Sequence, residues 1–290
     1  MKRIFLVLAL VSATAAQTAL PQLMVEAERN NPRIAAAEQA WRAAEQRVAP
    51  AGALPDPQAT VQQMSVGSPL PFAGYTTNNF AYIGVGVSQD IPYPGKLKLR
   101  AQIAHSDAQA LRAAVAAARR QVAEQVGAAY VQLAYLQQTR GLLQQQRTLL
   151  AAAEQLAEVR YRAGPGSQAD VLAAQLAQTE LLRDLATQQQ QQAATQAELR
   201  ALLNRTPGAP PVIPTALAPT RLAASDDQLL AMLPAADPAL GGEQARIAGA
   251  DHAVKLAHLN FRPDFNAQYM FQRTGPNFPA YYQWTVGMTL

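Results

Sequence analysis

The spacing of apolar residues along the chain changes several times, and each change marks an element. From Gln22 to Val48 the sequence is rich in Ala, Glu and Arg with helical periodicity, broken once at Asn31-Pro32. Proline fits the first turn of a helix, where its missing N–H costs nothing, so a new helix is expected to start there. Pro50, Pro55 and Pro57 are expected to stop it. Between Gln58 and Asp90 the period falls to two. Ala81, Ile83, Val85 and Val87 share one face of a strand, while Tyr82, Gly84, Gly86 and Ser88 share the other. A polar loop over roughly Gly67–Asn79 separates this strand from the one before it, and Pro92, Pro94 and Gly95 close the unit.

From Leu97 to about Arg162 the pattern is helical without a proline, with Gly127 and Gly141 as the only glycines. At 1.5 Å per residue this is about 99 Å of helix, longer than a compact domain of this size can hold. Val115, Val122, Val126, Leu133, Leu136, Leu143 and Leu150 form a heptad-like seam, with Ala in neighbouring positions that lets helix axes approach closely. Ala163-Gly164-Pro165-Gly166 forces a reversal. A second helix returns from about Ser167 to Asn204, and Pro207-Gly208 ends it. The Gln188–Gln192 run lies in helical register and reads as a solvated face.

After a Pro-rich connector, Thr206–Thr220, the first pattern begins again. Asp237-Pro238 opens a helix as Asn31-Pro32 did, and Pro263 stops it. Phe265, Ala267, Tyr269 and Phe271 then alternate with Asn266, Gln268, Met270 and Gln272. Beyond the turn Thr274-Gly275-Pro276-Asn277, Tyr282, Trp284, Val286, Met288 and Leu290 alternate with Gln283, Thr285, Gly287 and Thr289. Val286-Gly287-Met288-Thr289 matches Val85-Gly86-Val87-Ser88. The chain reads as an internal duplication, with the second copy expected to be incomplete.

Composition narrows the function classes. Of 290 residues, 49% are hydrophobic but only 6% aromatic, and 15% are charged. This Ala/Leu/Gln-rich balance favours helix and is poor in the large side chains of an ordinary core. With no cysteine there is no disulfide, thiolate metal site, catalytic thiol or cysteine-linked lipid. Lys2 and Arg3, the apolar run Ile4–Val11 and the small residues up to Ala15 and Ala16 read as a secretory leader over 1–16. Removing those two cations lowers the net charge from +4 to +2 (4 − 2), too little to argue for nucleic acid. His105, His252 and His258 lie on separate helical stretches without zinc-ligand spacing, and no nucleophile–base set or phosphate-binding loop is present. No catalytic residue, metal site or cofactor is expected, and the chain does not read as an enzyme.

Strands of about ten residues with one apolar and one polar face fit a transmembrane β-barrel, although a soluble sheet packed on one side shows the same alternation. Two hairpins cannot close a barrel, which needs at least about eight strands, so closure would need several subunits. A two-helix hairpin of this length likewise needs neighbours to cover its seam.

The ordered set of motifs from Gln22 to Leu290 resembles the TolC-like outer-membrane efflux channel family. The resemblance is carried by Asn31-Pro32 and Asp237-Pro238, by Asp90-Ile91-Pro92-Tyr93-Pro94-Gly95-Lys96 leaving the strand pair, by the reversal Arg160–Leu172, and by Leu202–Gly208 ending the returning helix. It implies a mainly α fold with transmembrane β-hairpins. A homotrimer would build a twelve-strand barrel in outer-membrane lipid and an α-helical tunnel in the periplasm. The implied partners are a periplasmic adaptor and an inner-membrane pump, and the role is passive export. The segments then read as a leader (1–16), an N-terminal equatorial helix (17–57), a first β-hairpin (58–92), a long periplasmic hairpin (93–208), a connector with the second repeat's helix (209–263) and an incomplete second β-hairpin (264–290).

The resemblance places Asp170, Tyr161 and Arg162 at a periplasmic gate and Gly164, Pro165, Gly166 and Ser167 at the adaptor-docking tip. Pro92, Pro94, Gly95 and Lys96 form the strand-to-helix exit. Two plainer readings stand beside these: Asp170 in a first helical turn and Arg162 in a last one both complement the helix dipole. The Pro165-Gly166 pair departs from the bulky residue common after the first tip glycine, which bears on the choice of adaptor. The exit segment resembles that of channels serving heavy-metal pumps, and the exported substrate is left open. A periplasmic adaptor, which also carries an α-helical hairpin, is the alternative. It would flank that hairpin with lipoyl-like half-motifs rather than amphipathic strands. Repeat arithmetic puts the end of a full second copy near position ~410. The expectation is of a truncated chain that brings half of the tunnel helices and leaves the Leu/Val seam uncovered.

Overall fold

Prolines open helices at Pro32 and Pro238 but do not end every helix they meet. In the computed structural model, which describes residues 19–78, 80–215, 222–275 and 278–289, α1 (Leu20–Asn30) gives way to α2 (Pro32–Gly52) at an extended Asn31. The expected leader over 1–16, part of the Pro-rich connector, Pro276-Asn277 of the second strand turn and Leu290 lie outside the described residues. The segment 17–57 thus holds two helices, with the break at Asn31-Pro32 where the proline was expected to start a new one. Asn31 suits the break because its Oδ1 accepts the Arg33 N–H at 2.9 Å and caps the new helix. Pro50 does not stop α2 as expected but lies within its last turn. There a missing N–H removes one bond, and the Ala53 N–H closes the end on the Pro50 carbonyl at 3.2 Å.

β1 (Gln58–Met64) and β2 (Tyr82–Ile91) precede α3 (Lys96–Arg162), a continuous helix of 67 residues that Gly127 and Gly141 do not break. α4 (Gln168–Leu202) returns for 35 residues. α5 (Asp226–Ala236), which the sequence reading did not place, precedes α6 (Pro238–Leu259) as α1 precedes α2. β3 (Asp264–Thr274) and β4 (Ala280–Thr289) end the described chain. No helix among the described residues is both long and apolar enough to cross a membrane.

The chain divides into two units. The first, residues 1–36 and 117–231, holds a core of Leu23, Ala27, Ile34, Val122, Val126, Ala129, Tyr130, Leu133, Leu199, Leu203 and Val212. The expectation of an uncovered seam is corrected here. Val122, Val126 and Leu133 are buried because α1, the end of α4 and the connector supply the missing neighbours, and Leu136 is buried beside them. Farther along the hairpin Leu142, Leu149, Leu156, Leu172 and Leu176 are exposed. Polar clasps fasten the buried part. Asn31 Nδ2 donates to the Leu202 carbonyl at 2.8 Å, and Arg205 grips Glu26 with two bonds of 2.6 Å. The Tyr130 hydroxyl pairs with Thr215 Oγ1 at 2.9 Å.

The second unit, residues 37–116 and 232–290, packs helices through small residues. A Cβ on Gly249 would lie 3.1 Å from Ser106 Cβ, and one on Gly242 would lie 3.4 Å from Ala113 Cβ. α6 therefore lies against the first part of α3 at a distance that larger side chains would prevent. In the same unit all four strands form one antiparallel sheet in the order β1-β2-β3-β4. The two hairpins, distant in sequence, join through β2 and β3.

Candidate functional site

Register turns the alternation of each strand into rows across the sheet. Val61, Val85, Phe271 and Tyr282 lie side by side, as do Ala59, Val87, Tyr269 and Trp284. Farther along come Gln89, Ala267 and Val286, then Ile91, Phe265 and Met288. Directly paired residues point to the same side, so these rows make one face almost wholly apolar. Tyr269 packs at a tilt against Trp284 with ring centroids 4.6 Å apart, as does Phe271 against Tyr282 at 5.4 Å. The face is exposed, with Trp284 at 77% and Val286 at 79% of full accessibility.

The opposite face carries Gln58, Ser88, Gln268 and Thr285 in one row, and Gln62, Gly84, Gln272 and Tyr281 in another. Gly84 and Gly86 lie under longer side chains of β3. A Cβ on Gly86 would come within 3.1 Å of Met270 Cε and 2.9 Å of the Tyr269 carbonyl. The carboxylates on this face are Asp90, which accepts from Asn266 Nδ2 at 2.6 Å, and Asp264. An apolar side open to the surroundings and a side lined with amides and hydroxyls suit a wall between lipid and water.

The strand-to-helix exit is a compact junction. Gly95 adopts φ +99°, a left-handed conformation that glycine takes without strain. The chain thereby turns into α3 at Lys96. Lys96 is 3% exposed, and its Nζ donates to Asp264 Oδ1 at 2.8 Å and to the Arg262 carbonyl at 3.3 Å. The Tyr93 N–H donates to the same carboxylate oxygen at 2.7 Å. Asp264 was absent from the sequence-based candidates, since its partners lie 168 and 171 residues away. Pro92 and Pro94 frame the turn between β2 and α3.

At the far end of α3 the reversal falls where the sequence put it. Gly164 has φ +95°, and the Gly166 N–H reaches back to the Arg160 carbonyl at 3.1 Å. A side chain on Gly166 would strike the Tyr161 nitrogen at 2.7 Å, so the tight turn selects glycine there. Ser167 and Asp170 form a reciprocal cap of α4. The Asp170 N–H donates to Ser167 Oγ at 3.2 Å, and the Ser167 N–H donates to Asp170 Oδ2 at 3.1 Å. These bonds from Ser167, with a smaller contribution from Arg160, hold the Asp170 carboxyl below its ordinary pKa. Arg162 pairs with Glu158 at 2.7 Å one turn back, and Tyr161 is half exposed. The expected gate residues thus lie together around one turn with Pro165.

His105 lies on α3, whereas His252 and His258 share α6, which corrects the reading of three separate stretches. Among the described residues no group of three or more His, Asp or Glu is placed to hold a metal ion.

A family model described as outer membrane efflux protein matches residues 23–205. Solved structures share the fold. The outer membrane protein VceC of Vibrio cholerae superposes with a TM-score of 0.72 at 20% identity, over 93% of this chain and 68% of its own. The MtrE outer membrane channel of Neisseria gonorrhoeae in its open state gives 0.74 at 17%, over 93% and 63%. The CmeC outer membrane channel of Campylobacter jejuni gives 0.75 at 12%, over 93% and 61%. The chain therefore spans about two thirds of the length of these channels. No curated protein matches it.

Proposed function

The chain belongs to the outer membrane efflux protein family, and on that premise we propose that it is the outer-membrane channel subunit of a tripartite efflux system. The observation that carries this reading is the two-faced sheet: an exposed apolar face backed by a face of amides, hydroxyls and glycines. Three copies would bring twelve strands, enough to close a barrel around a water-filled lumen. In this role the protein is a passive conduit and performs no catalysis. A periplasmic adaptor and an inner-membrane pump would deliver the substrate to its periplasmic helices. The leader over 1–16 is assigned to export. An adaptor identity, the alternative, is opposed by the family match.

Within this reading the turn at Gly164, Pro165, Gly166 and Ser167 is the docking tip, and Asp170 with Tyr161 and Arg162 belongs to the entrance. Three Asp170 carboxylates around a three-fold axis would form an anionic ring that favours cations. The cap with Ser167 is compatible with this role, because it keeps the carboxylate ionised and in a fixed position.

Fractionation tests the main proposal. Recovery in the outer membrane as a heat-modifiable, detergent-resistant trimer is the expected result. Recovery as a soluble or inner-membrane species would overturn it. In single-channel recordings, Asp170→Asn is expected to weaken cation selectivity. Unchanged selectivity and conductance would leave Asp170 as a helix cap alone.

A further inference from the structure

The apolar face of the sheet carries one charge among its described residues. Arg273 lies in the row Gln63, Ile83, Arg273, Ala280, one step beyond the aromatic pair Phe271 and Tyr282. It is exposed, and among the described residues no hydrogen bond or ion pair engages its guanidinium. β3 is paired on both sides, so the outward space over Arg273 is bounded by this chain's own Ile83 and by the small Ala280. From Phe265 to Arg273 the strand advances by eight residues, about 27 Å along its axis. With the tilt usual in such barrels this is close to the height of a barrel's apolar band. Arg273 thus stands at the rim of the band, at the end of the strands that bears their loops, just outside the aromatic positions that mark the headgroup level.

A bare cation at mid-bilayer would be costly, whereas at the rim its planar fork of donors meets phosphate oxygens. We propose that Arg273 is a binding site for the phosphate of an anionic lipid in the outer leaflet. The inference rests on the outer-membrane reading above and adds a ligand to it. The complementary charge, the lipid-facing direction and the aromatic row beneath all point to a headgroup rather than to a second protein. Phe271 and Tyr282 would pack along the upper acyl chains while Arg273 holds the phosphate.

The test uses the full chain purified from outer membranes, with Arg273→Gln and Arg273→Lys beside it. Phosphorylated lipid retained per chain is measured by mass spectrometry. It is expected to fall about fivefold in Arg273→Gln and to recover in Arg273→Lys. In nanodiscs, a phosphorylated glycolipid should raise the melting temperature of the wild type and Arg273→Lys more than its dephosphorylated counterpart does, and should not do so for Arg273→Gln. Equal retention and equal melting in all three proteins would overturn the proposal. So would an equal stabilisation by inorganic phosphate in detergent, which would assign a free-anion site instead. Failure of the channel reading is separately visible, because the wild type itself would then be recovered outside the outer membrane.

Discussion

The heptad seam of the long hairpin is covered to different depths along its length. Between Val122 and Leu136 the seam is buried, whereas its continuation at Leu143 and Leu150 is only half-buried and the neighbouring stripe Leu142, Leu149 and Leu156, seven residues apart, is exposed. The side chains are of one kind, so what differs is the company. The first stretch is covered by Leu23 and Ala27 of α1, by Leu199 and Leu203 near the end of α4, and by Val212. Among the described residues the second is paired with α4, as the bonds from Arg140 to Gln192 and from Gln178 to Glu154 show. A two-helix ribbon offers each helix one neighbour, and a seam wider than one contact line needs a third. The heptad therefore specifies helix pairing in both stretches, but it specifies a core only where the chain turns back over it.

Paired substitutions test that contrast. Leu136→Asp would place an unpaired charge in a site that is 1% exposed, and it is expected to cost several kcal/mol in thermal or urea melts followed by circular dichroism. Leu149→Asp, at 71% exposure, is expected to change the stability of the isolated chain by less than about 0.5 kcal/mol. If the exposed stretch is covered by other copies in a trimer, the same change will lower the dissociation temperature of that trimer. Equal effects of both substitutions on the single chain would erase the distinction.

The clasp over the buried stretch gives a smaller effect and a pH signature. Arg205→Gln is expected to cost about 1–2 kcal/mol, since it removes a two-pronged bond to a partly buried carboxylate. That bond holds Glu26 below its ordinary pKa of 4.5. A depressed carboxylate binds fewer protons folded than unfolded, so its stabilisation is present above pH 4.5 and is lost as pH falls through the lower folded value. Melting temperatures measured downward from pH 6 should therefore drop more steeply in the wild type than in Arg205→Gln. The smallest effect belongs to the tip. Ser167→Ala removes the side-chain half of the α4 cap and is expected to cost about 1 kcal/mol, read as faster amide exchange in the first turn of α4.

The limits of legibility follow from distance along the chain. Pro32, the glycines of the reversal and the period of two in the strands act on their own neighbours, so these elements were readable residue by residue. The place of Asp170 in the first turn of α4 was readable too, because it follows from the reversal directly before it. The partners of Lys96, Glu26 and Asn31 were not, since each lies more than 165 residues distant and leaves no local mark. α5 was missed for a different reason: Pro234 interrupts its pattern, yet the helix tolerates it near the end, as α2 tolerates Pro50. The rows of the sheet needed register, and with it came the isolation of Arg273 on an apolar face.

The junction of Lys96 with Asp264 has a consequence for the order of assembly. The Tyr93 N–H and the Lys96 ammonium meet one carboxylate that leaves the ribosome 171 and 168 residues after them. Until it arrives, β2 has a mate on one edge only, and its free edge is open to strands of other chains. The helices between close short loops first, while the strand pairing must await a large one. Refolding into detergent should thus run in two phases, a fast gain of helix and a slower gain of strand and of tryptophan burial at Trp284. A chaperone that shields strand edges would act in the interval between them.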